Sequence, residues 1–314
     1  MGFLKIFICR GTMNRTELSI IIVSYNVREL LIRCIESVIK NIGTDILIEI
    51  IVVDNCSVDG SSQAVRQRFS EVKIIENNFN AGFPAANNQG FAVATGDYIL
   101  MLNPDTEIID NSIQKLLAFY KTIDGAGIVG PKLLNPDMSR QNVVWRFPKV
   151  RYIIAEIWYL NFLIPRKYYK EKDFNTSFEV DSMSGAALIF SKKVLQKLGG
   201  LDEKLFWIED VDLCFRAHEI GLHNYYYHEA AIIHHIGQSA KKNYNLSIYF
   251  QTVNKINFYK VHGSLIAVIL LWVISFVNVI LKLFVFLVLS PFRQLYFYKT
   301  KAYFYTLKRF LTFK

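Results

Sequence analysis

Tyr98-Ile-Leu-Met-Leu-Asn-Pro-Asp-Thr106 joins the apolar run Tyr98–Leu102 to a carboxylate, Asp105, just beyond its end. A short unbroken apolar run reads as a strand buried on both faces of a sheet. Asp105 then stands at the carboxyl end of that strand, the edge where open α/β sheets bind ligands. A lone Asp there is a hard oxygen ligand, suited to a divalent cation that itself holds a diphosphate. Asn103-Pro104-Asp105 also has the composition of a plain β-turn, with Pro and Asp serving only the turn. The rest of the chain decides between these readings.

Upstream, Leu18–Ser24 is another β-branched run, and residues 27–40 place apolar side chains at Leu30, Leu31, Cys34, Ile35, Val38 and Ile39, a helical spacing. Strands are expected over 46–53 and 72–75, helices over 85–95 and 112–122, and a further strand over 127–134. Beyond 140–178, where aromatics mix with Arg and Lys as in a variable insertion or acceptor region, a strand is expected over 180–190. Helices follow over 192–198 and 210–220, then a strand over 230–233. Alternating strands and helices predict a Rossmann-like α/β sheet with right-handed crossovers.

Composition sets further bounds. The 314 residues are 52% hydrophobic and 14% aromatic, with a mean hydropathy of +0.22, which is high for a protein that meets only water. The formal net charge is +9, yet six of those excess charges fall after Ser290, at Arg293, Lys299, Lys301, Lys308, Arg309 and Lys314. The near balance elsewhere argues against a nucleic-acid surface. Cys9, Cys34, Cys56 and Cys214 are widely spaced, which suggests neither a zinc site nor a disulfide framework and suits a reducing compartment. Met13 is an alternative start, with residues 1–15 read as an extension. Leu265–Leu289 is long and apolar enough to span a bilayer, with Lys282 its only charge and Asn278 one turn earlier. The tail beyond it reads as a basic amphipathic helix on an anionic leaflet. One full span would carry that tail to the far side, against the positive-inside tendency. A hairpin broken near Asn278–Lys282 keeps both ends on the cytoplasmic side and is the expected form.

Four polar clusters end predicted strands or open a helix: Ser24-Tyr25-Asn26, Asp54-Asn55-Cys56-Ser57-Val58-Asp59-Gly60, Asn80-Ala81-Gly82 with Asn87, and Asn103-Pro104-Asp105. All fall on one sheet edge. Carboxylates and amides there can hydrogen-bond a base and ribose, and small residues at a helix start let backbone approach a ligand. With Gly199-Gly-Leu-Asp202 and Trp207-Ile-Glu-Asp-Val-Asp-Leu-Cys-Phe-Arg216, this ordered text over about 18–237 resembles the family 2 glycosyltransferases of GT-A fold. It looks most like their rhamnosyltransferase branch, where Asn-Pro-Asp stands for Asp-x-Asp.

The resemblance implies a GT-A domain over 16–245, a mixed central sheet, and a membrane-associated C-terminal part over 246–314. It implies that Asp54 holds base and ribose in a pocket lined by Ser24, Tyr25 and Asn26, with Asn80, Gly82, Asn87 and Asn103 also toward the donor. Asp105 is the implied ligand of Mg²⁺ or Mn²⁺, with His235, in the loop His234–Ser239, as a metal or phosphate contact. Asp210 is the implied general base, with Glu209 beside it toward substrate; crowding by Glu209 and Asp212 should raise its pKa. An acidic helix N-terminus is the structural alternative for this cluster.

The expected activity is inverting transfer of a sugar, rhamnose first among candidates, from a nucleoside diphosphate donor to a saccharide or lipid-linked acceptor. The setting is cell-surface polysaccharide synthesis at the cytoplasmic face of a bacterial inner membrane. A polyprenyl-phosphate monosaccharide transferase differs only in acceptor. A processive synthase is disfavoured because Gln141-Asn-Val-Val-Trp-Arg146 is not its Gln-x-x-Arg-Trp motif. A non-catalytic nucleotide-sugar scaffold should have lost Asp105 or Asp210, and both are present.

Overall fold

The computed structural model describes residues 16–43, 45–160, 164, 169, 171–235 and 244–312. The N-terminal extension with Cys9 and Met13, the aromatics Phe162 and Tyr168, and the loop residues 236–239 lie outside them.

The chain runs β1 (Leu18–Ser24), α1 (Arg28–Asn41), β2 (Ile48–Asp54), α2 (Ser61–Arg68), β3 (Lys73–Glu76), α3 (Phe83–Val93), β4 (Tyr98–Leu102), β5 (Thr106–Ile108), α4 (Ser112–Thr122) and β6 (Ala126–Leu134). It continues through β7 (Val144–Trp145), α5 (Val150–Ile157), β8 (Phe178–Val180), β9 (Ser182–Met183), β10 (Ala187–Ser191), α6 (Lys192–Leu198), α7 (Glu209–Glu219) and β11 (His223–His234). Three helices follow, α8 (Tyr244–His262), α9 (Leu265–Leu289) and α10 (Gln294–Thr312).

Nine strands among the described residues form a mixed sheet in the order β3-β2-β1-β4-β10-β6-β11-β5, with β8 on β11. The run β3-β2-β1-β4 is parallel. β10 enters antiparallel between β4 and β6, and β11 returns parallel to β6. β1 sits inside the parallel run and is buried along its whole length, which is why its sequence is continuously apolar rather than alternating. α3 lies close on this layer: a Cβ at Gly90 would come within 2.4 Å of Ile21 Cγ2, so only glycine fits there. The expected strand over 180–190 is instead three short pieces, β8, β9 and β10, interrupted before Ala187.

The described residues divide into two units. The first carries the sheet and takes the chain through Val144, then Lys170–Glu203 and Leu213–Ile236; the second takes Trp145–Tyr169, Lys204–Asp212 and Gly237–Lys314. The aromatic segment expected as an insertion of the sheet domain thus contributes α5 to the helical unit.

That helical unit has its own core of Ile153, Val253, Ile256, Leu271 and Phe310. α10 runs antiparallel to α9, since Phe286 stacks on Tyr296 and Tyr303 while Trp272 and Phe276 meet Phe310. α9 is unbroken over its 25 residues, so the chain does not turn at Asn278–Lys282 as expected and reverses after Ser290. The two polar residues face protein: Asn278 Nδ2 donates to Ile157 O at 3.1 Å, and the Lys282 ammonium lies over the rings of Tyr159 and Tyr303. The remaining surface of α9 is apolar and open, with Ile266 79% and Phe284 66% exposed, a burden in water and the normal state of a helix in lipid.

Candidate active site

The two ends of the parallel strands treat their polar groups differently. At the amino edge, Glu49 accepts hydrogen bonds from Ser19 Oγ (2.5 Å), Thr95 N (2.6 Å) and Lys73 Nζ (2.7 Å), and Ser19 Oγ in turn accepts from Gly96 N. Burial pushes the Glu49 carboxyl up, but these bonds outweigh it and hold the pKa down at about 2. That edge is satisfied. At the carboxyl edge, Ser24 Oγ, Asp54 Oδ1, Asn87 Oδ1 and Asn103 Oδ1 are buried without a protein hydrogen-bond partner, four of the six such side-chain atoms among the described residues. An unpaired buried polar atom costs about 1–3 kcal/mol, and four of these atoms fall on residues expected to bind the donor.

Local geometry fixes this edge. Ser24 and Asp54 are register partners at the ends of β1 and β2. Asp54 Oδ2 accepts from Ser57 N at 2.9 Å, which leaves Oδ1 for a ligand. Asn26 and Cys56 adopt positive φ, 54° and 66°, a cost kept where surrounding contacts enforce it. Here Asn26 N donates to Ser57 Oγ (2.9 Å) while Asn26 Oδ1 accepts from Val58 N (2.8 Å), tying the two strand ends together. Tyr25 is 47% exposed beside them. Asn80 Oδ1 accepts from Gly82 N (3.0 Å), and Gly82 enters α3 with φ +86°, which glycine alone adopts without strain. Asn55 Nδ2 donates to Gly82 O at 3.2 Å. Asn87 is turned further inward than expected, with Nδ2 on Phe83 O at 2.9 Å.

Asp105 lies in a turn, but one pinned on both sides. Asn103 N donates to Ala186 O (2.8 Å), Thr106 Oγ1 to Asn103 O (2.7 Å), and His235 N to Asp105 O (2.8 Å). The imidazole beside the Asp105 carboxylate belongs to His234, with Nε2 3.4 Å from Oδ1. His235, the expected ligand, instead places Nε2 2.8 Å from Glu107 Oε1. Successive strand residues point to opposite sides, so a one-position offset exchanges the two rings.

Gln141 orients His234. Gln141 Nε2 donates to His234 O (2.7 Å), so its Oε1 faces His234 Nδ1 (3.1 Å) as an acceptor and fixes the ring proton on Nδ1. In the neutral ring the Nε2 lone pair then lies on the Asp105 side, where a cation could share it with the carboxylate. A ring whose far nitrogen is held this way is the usual form of a metal-bound histidine. The donor set of one carboxylate and one imidazole fits Mg²⁺ or Mn²⁺ only as a partial shell. No group of three or more His, Cys, Asp or Glu side chains among the described residues could hold a metal, so a diphosphate would complete it. Gln141 was legible in the sequence only as a fragment of a rejected motif.

In the helical unit, the first turn of α7 carries Glu209, Asp210 and Asp212. Glu209, expected to face substrate, is buried and folds back so that Oε2 accepts from Ile208 N at 2.9 Å. Burial, reinforced by the charge of Asp210, pushes its pKa up to about 8. Asp212 is fully buried with Oδ1 2.6 Å from His262 Nε2. Asp210 Oδ1 accepts from Val211 N at 2.8 Å. Burial and the neighbouring charge thus raise Glu209 within this cluster. Since its folded pKa lies above the unfolded value near 4.5, the folded state binds more protons between them. The contribution of Glu209 to stability is complete below about pH 4.5 and is lost as pH rises through about 8. Melting curves of Glu209→Gln should lose this slope, while wild type melts lower at pH 8.5 than at pH 5.5 by about 5 °C or more. Parallel pH profiles for the two proteins would show that Glu209 is already ionised.

With the geometry defined, comparison with known proteins decides the family. The family model "Glycosyl transferase family 2" matches residues 19–199. The chain belongs to this family. The glycosyltransferase is 26% identical over 225 residues to N-acetylglucosaminyl-diphospho-decaprenol L-rhamnosyltransferase of Mycobacterium tuberculosis (strain CDC 1551), covering 65% of this chain and 71% of that one. Among solved structures it resembles the mannosyltransferase PcManGT from Pyrobaculum calidifontis in complex with GDP-Man and Mn²⁺ (TM-score 0.57, 15% identity, 96% of this chain and 88% of the other). It also resembles GalNAc-T7 with UDP, GalNAc and Mn²⁺ (TM-score 0.55, 17% identity), covering 78% of this chain and about half, 51%, of the other. These likenesses confirm the GT-A fold. The glycosyltransferase is rhamnosyltransferase-like, and its α9 is long and apolar enough to cross a membrane.

Proposed function

We propose that the protein is an inverting glycosyltransferase that moves a hexose, rhamnose first, from a nucleoside diphosphate to a lipid-linked saccharide during cell-surface polysaccharide synthesis. The observation that carries this reading is the row of unpaired buried polar atoms on Ser24, Asp54, Asn87 and Asn103, at the edge that also bears Asp105 and His234. Asp54 binds base and ribose, with Ser24, Tyr25 and Asn26 lining the same pocket and Asn80 and Gly82 bringing backbone to the donor. Asp105 and His234 would hold Mg²⁺ or Mn²⁺, which supplies charge neutralisation for the leaving diphosphate.

Asp210 takes the proton of an acceptor hydroxyl as its oxygen forms a bond to the anomeric carbon and the bond to the diphosphate breaks. A single displacement inverts that carbon. Glu209, protonated at neutral pH, adds no second negative charge beside the base and acts as a positioning residue. α9 anchors the enzyme in the membrane with its donor site on the cytoplasmic side, where Lys308 and Arg309, on the end of α10 that packs beside the start of α9, meet anionic lipid. The rhamnosyltransferase relative, whose name specifies a lipid diphosphate acceptor, supports this choice.

Purified protein screened against a panel of nucleotide sugars with Mg²⁺ or Mn²⁺ should be thermally stabilised by one donor well above the rest, a deoxythymidine diphosphate sugar first. Equal indifference to every donor would count against the reading.

A further inference from the structure

α9 divides lengthwise into two faces. Ile266, Leu270, Val273, Val277, Leu281 and Phe284 recur every three or four residues, and they are between 41% (Val277) and 79% (Ile266) exposed. That spacing keeps them on one side, so an open apolar stripe runs along the helix. Leu271, Ser275 and Val279 form the buried side. Asn278 and Lys282 lie off the stripe, turned to Ile157 O and to the rings of Tyr159 and Tyr303.

Three helices pack against the buried side, and each carries charge. α10 follows α9 from Phe286, which meets Tyr296 and Tyr303, to Trp272, which meets Phe310. It bears Lys299, Lys301, Lys308 and Arg309, which leaves only residues 302–307 between cations. α8 shares the core around Leu271 through Val253 and Ile256, and its Lys255 pairs with Glu156 of α5. Ile157, the next residue, accepts the hydrogen bond of Asn278, near the middle of α9. An upright α9 would therefore carry the Glu156–Lys255 pair deep into the hydrocarbon and force α10 to cross beside it. Crossing takes about 20 predominantly apolar residues, and charges at that depth are rare and costly. An α9 lying in the plane of one leaflet requires neither. The charge of this part of the chain fits such a seat: from Tyr244 to Lys314 the sequence has no Asp or Glu, while Lys and Arg recur, a balance suited to anionic headgroups.

We infer that α9 is a monotopic anchor, lying along one anionic leaflet with its stripe at the acyl boundary and the whole of α10 on the cytoplasmic side. The inference rests on the membrane-anchor reading and supplies its topology. It also removes the conflict with the positive-inside tendency, since Arg293, Lys299 and Lys301 then stay on the same side as Lys308 and Arg309.

The test uses the full-length protein with Cys9→Ser/Cys56→Ser, expressed in a bacterium; Cys34 and Cys214 are buried. A membrane-impermeant maleimide should label Arg293→Cys, in the turn before α10, and Lys115→Cys, exposed on α4, alike in sealed inside-out vesicles and neither in intact spheroplasts. Spin labels at Ile266→Cys, Val277→Cys and Val288→Cys in phosphatidylglycerol-containing vesicles should report one depth, about 5–10 Å into the headgroup and acyl boundary. Labelling of Arg293→Cys from spheroplasts alone, or a label at 277 about 15 Å deep with the other two shallow, would overturn the in-plane seat and leave the membrane reading standing. Protein that fails to float with vesicles, its stripe covered by a second copy, would overturn both.

Discussion

Asp210→Asn should lower sugar transfer by about three orders of magnitude, within the usual range for removal of a general base, while nucleotide-sugar binding stays near wild type. A sugar hydroxyl is a weak nucleophile and must lose its proton as it attacks; an amide cannot accept that proton. The substitution is nearly isosteric and keeps an oxygen for the Val211 N–H, so the fold should hold. Transfer rates and donor affinity measured on the same preparation separate the two effects. Turnover within tenfold of wild type would remove Asp210 from the role, and Asp212, buried against His262, offers no ready substitute.

Asp105→Ala should reduce metal-dependent transfer by about 10²–10³-fold, abolishing the difference between assays with Mn²⁺ and with chelator. The loss is large because Asp105 is the one carboxylate of the expected metal shell. His234→Asn should cost roughly tenfold or more and weaken the apparent affinity for Mn²⁺. His235→Asn, which removes a contact to Glu107 rather than to Asp105, should leave metal affinity near wild type. Titration of activity against Mn²⁺ checks all three. The reverse ranking of the two histidines would show that the resting geometry of the strand end does not persist with donor bound.

The parts of the fold legible in the sequence are those where one period dominates. β1 and β4 are unbroken apolar runs because both their faces are covered, and α4 and α9 match their expected bounds. α2 escaped notice because Ser61–Arg68 is mostly polar and buries only Ser61, Ser62, Ala64 and Val65. α8 escaped because its apolar and polar residues are not segregated: aromatics, Asn and Lys alternate where three helices and a cleft meet. The break near Asn278–Lys282 is expected from the positive-inside tendency and the two polar residues there, but packing supplies both with partners within an unbroken helix. At the site, residue types named the sheet edge on which the unpaired buried polar atoms fall, but register decided which histidine reaches Asp105. No local pattern marks Gln141 as its support. Glu209 was legible as acidic and not as buried, since burial of an α7 residue depends on what packs against it.

The most direct single measurement is transfer of a radiolabelled deoxyhexose from its deoxythymidine diphosphate donor into a lipid-extractable product by wild type and Asp210→Asn side by side. The expected result is labelled lipid-linked product from wild type, almost none from the variant, and equal donor binding by both. Labelled product formed equally by the two proteins would contradict the assignment of Asp210 as the base.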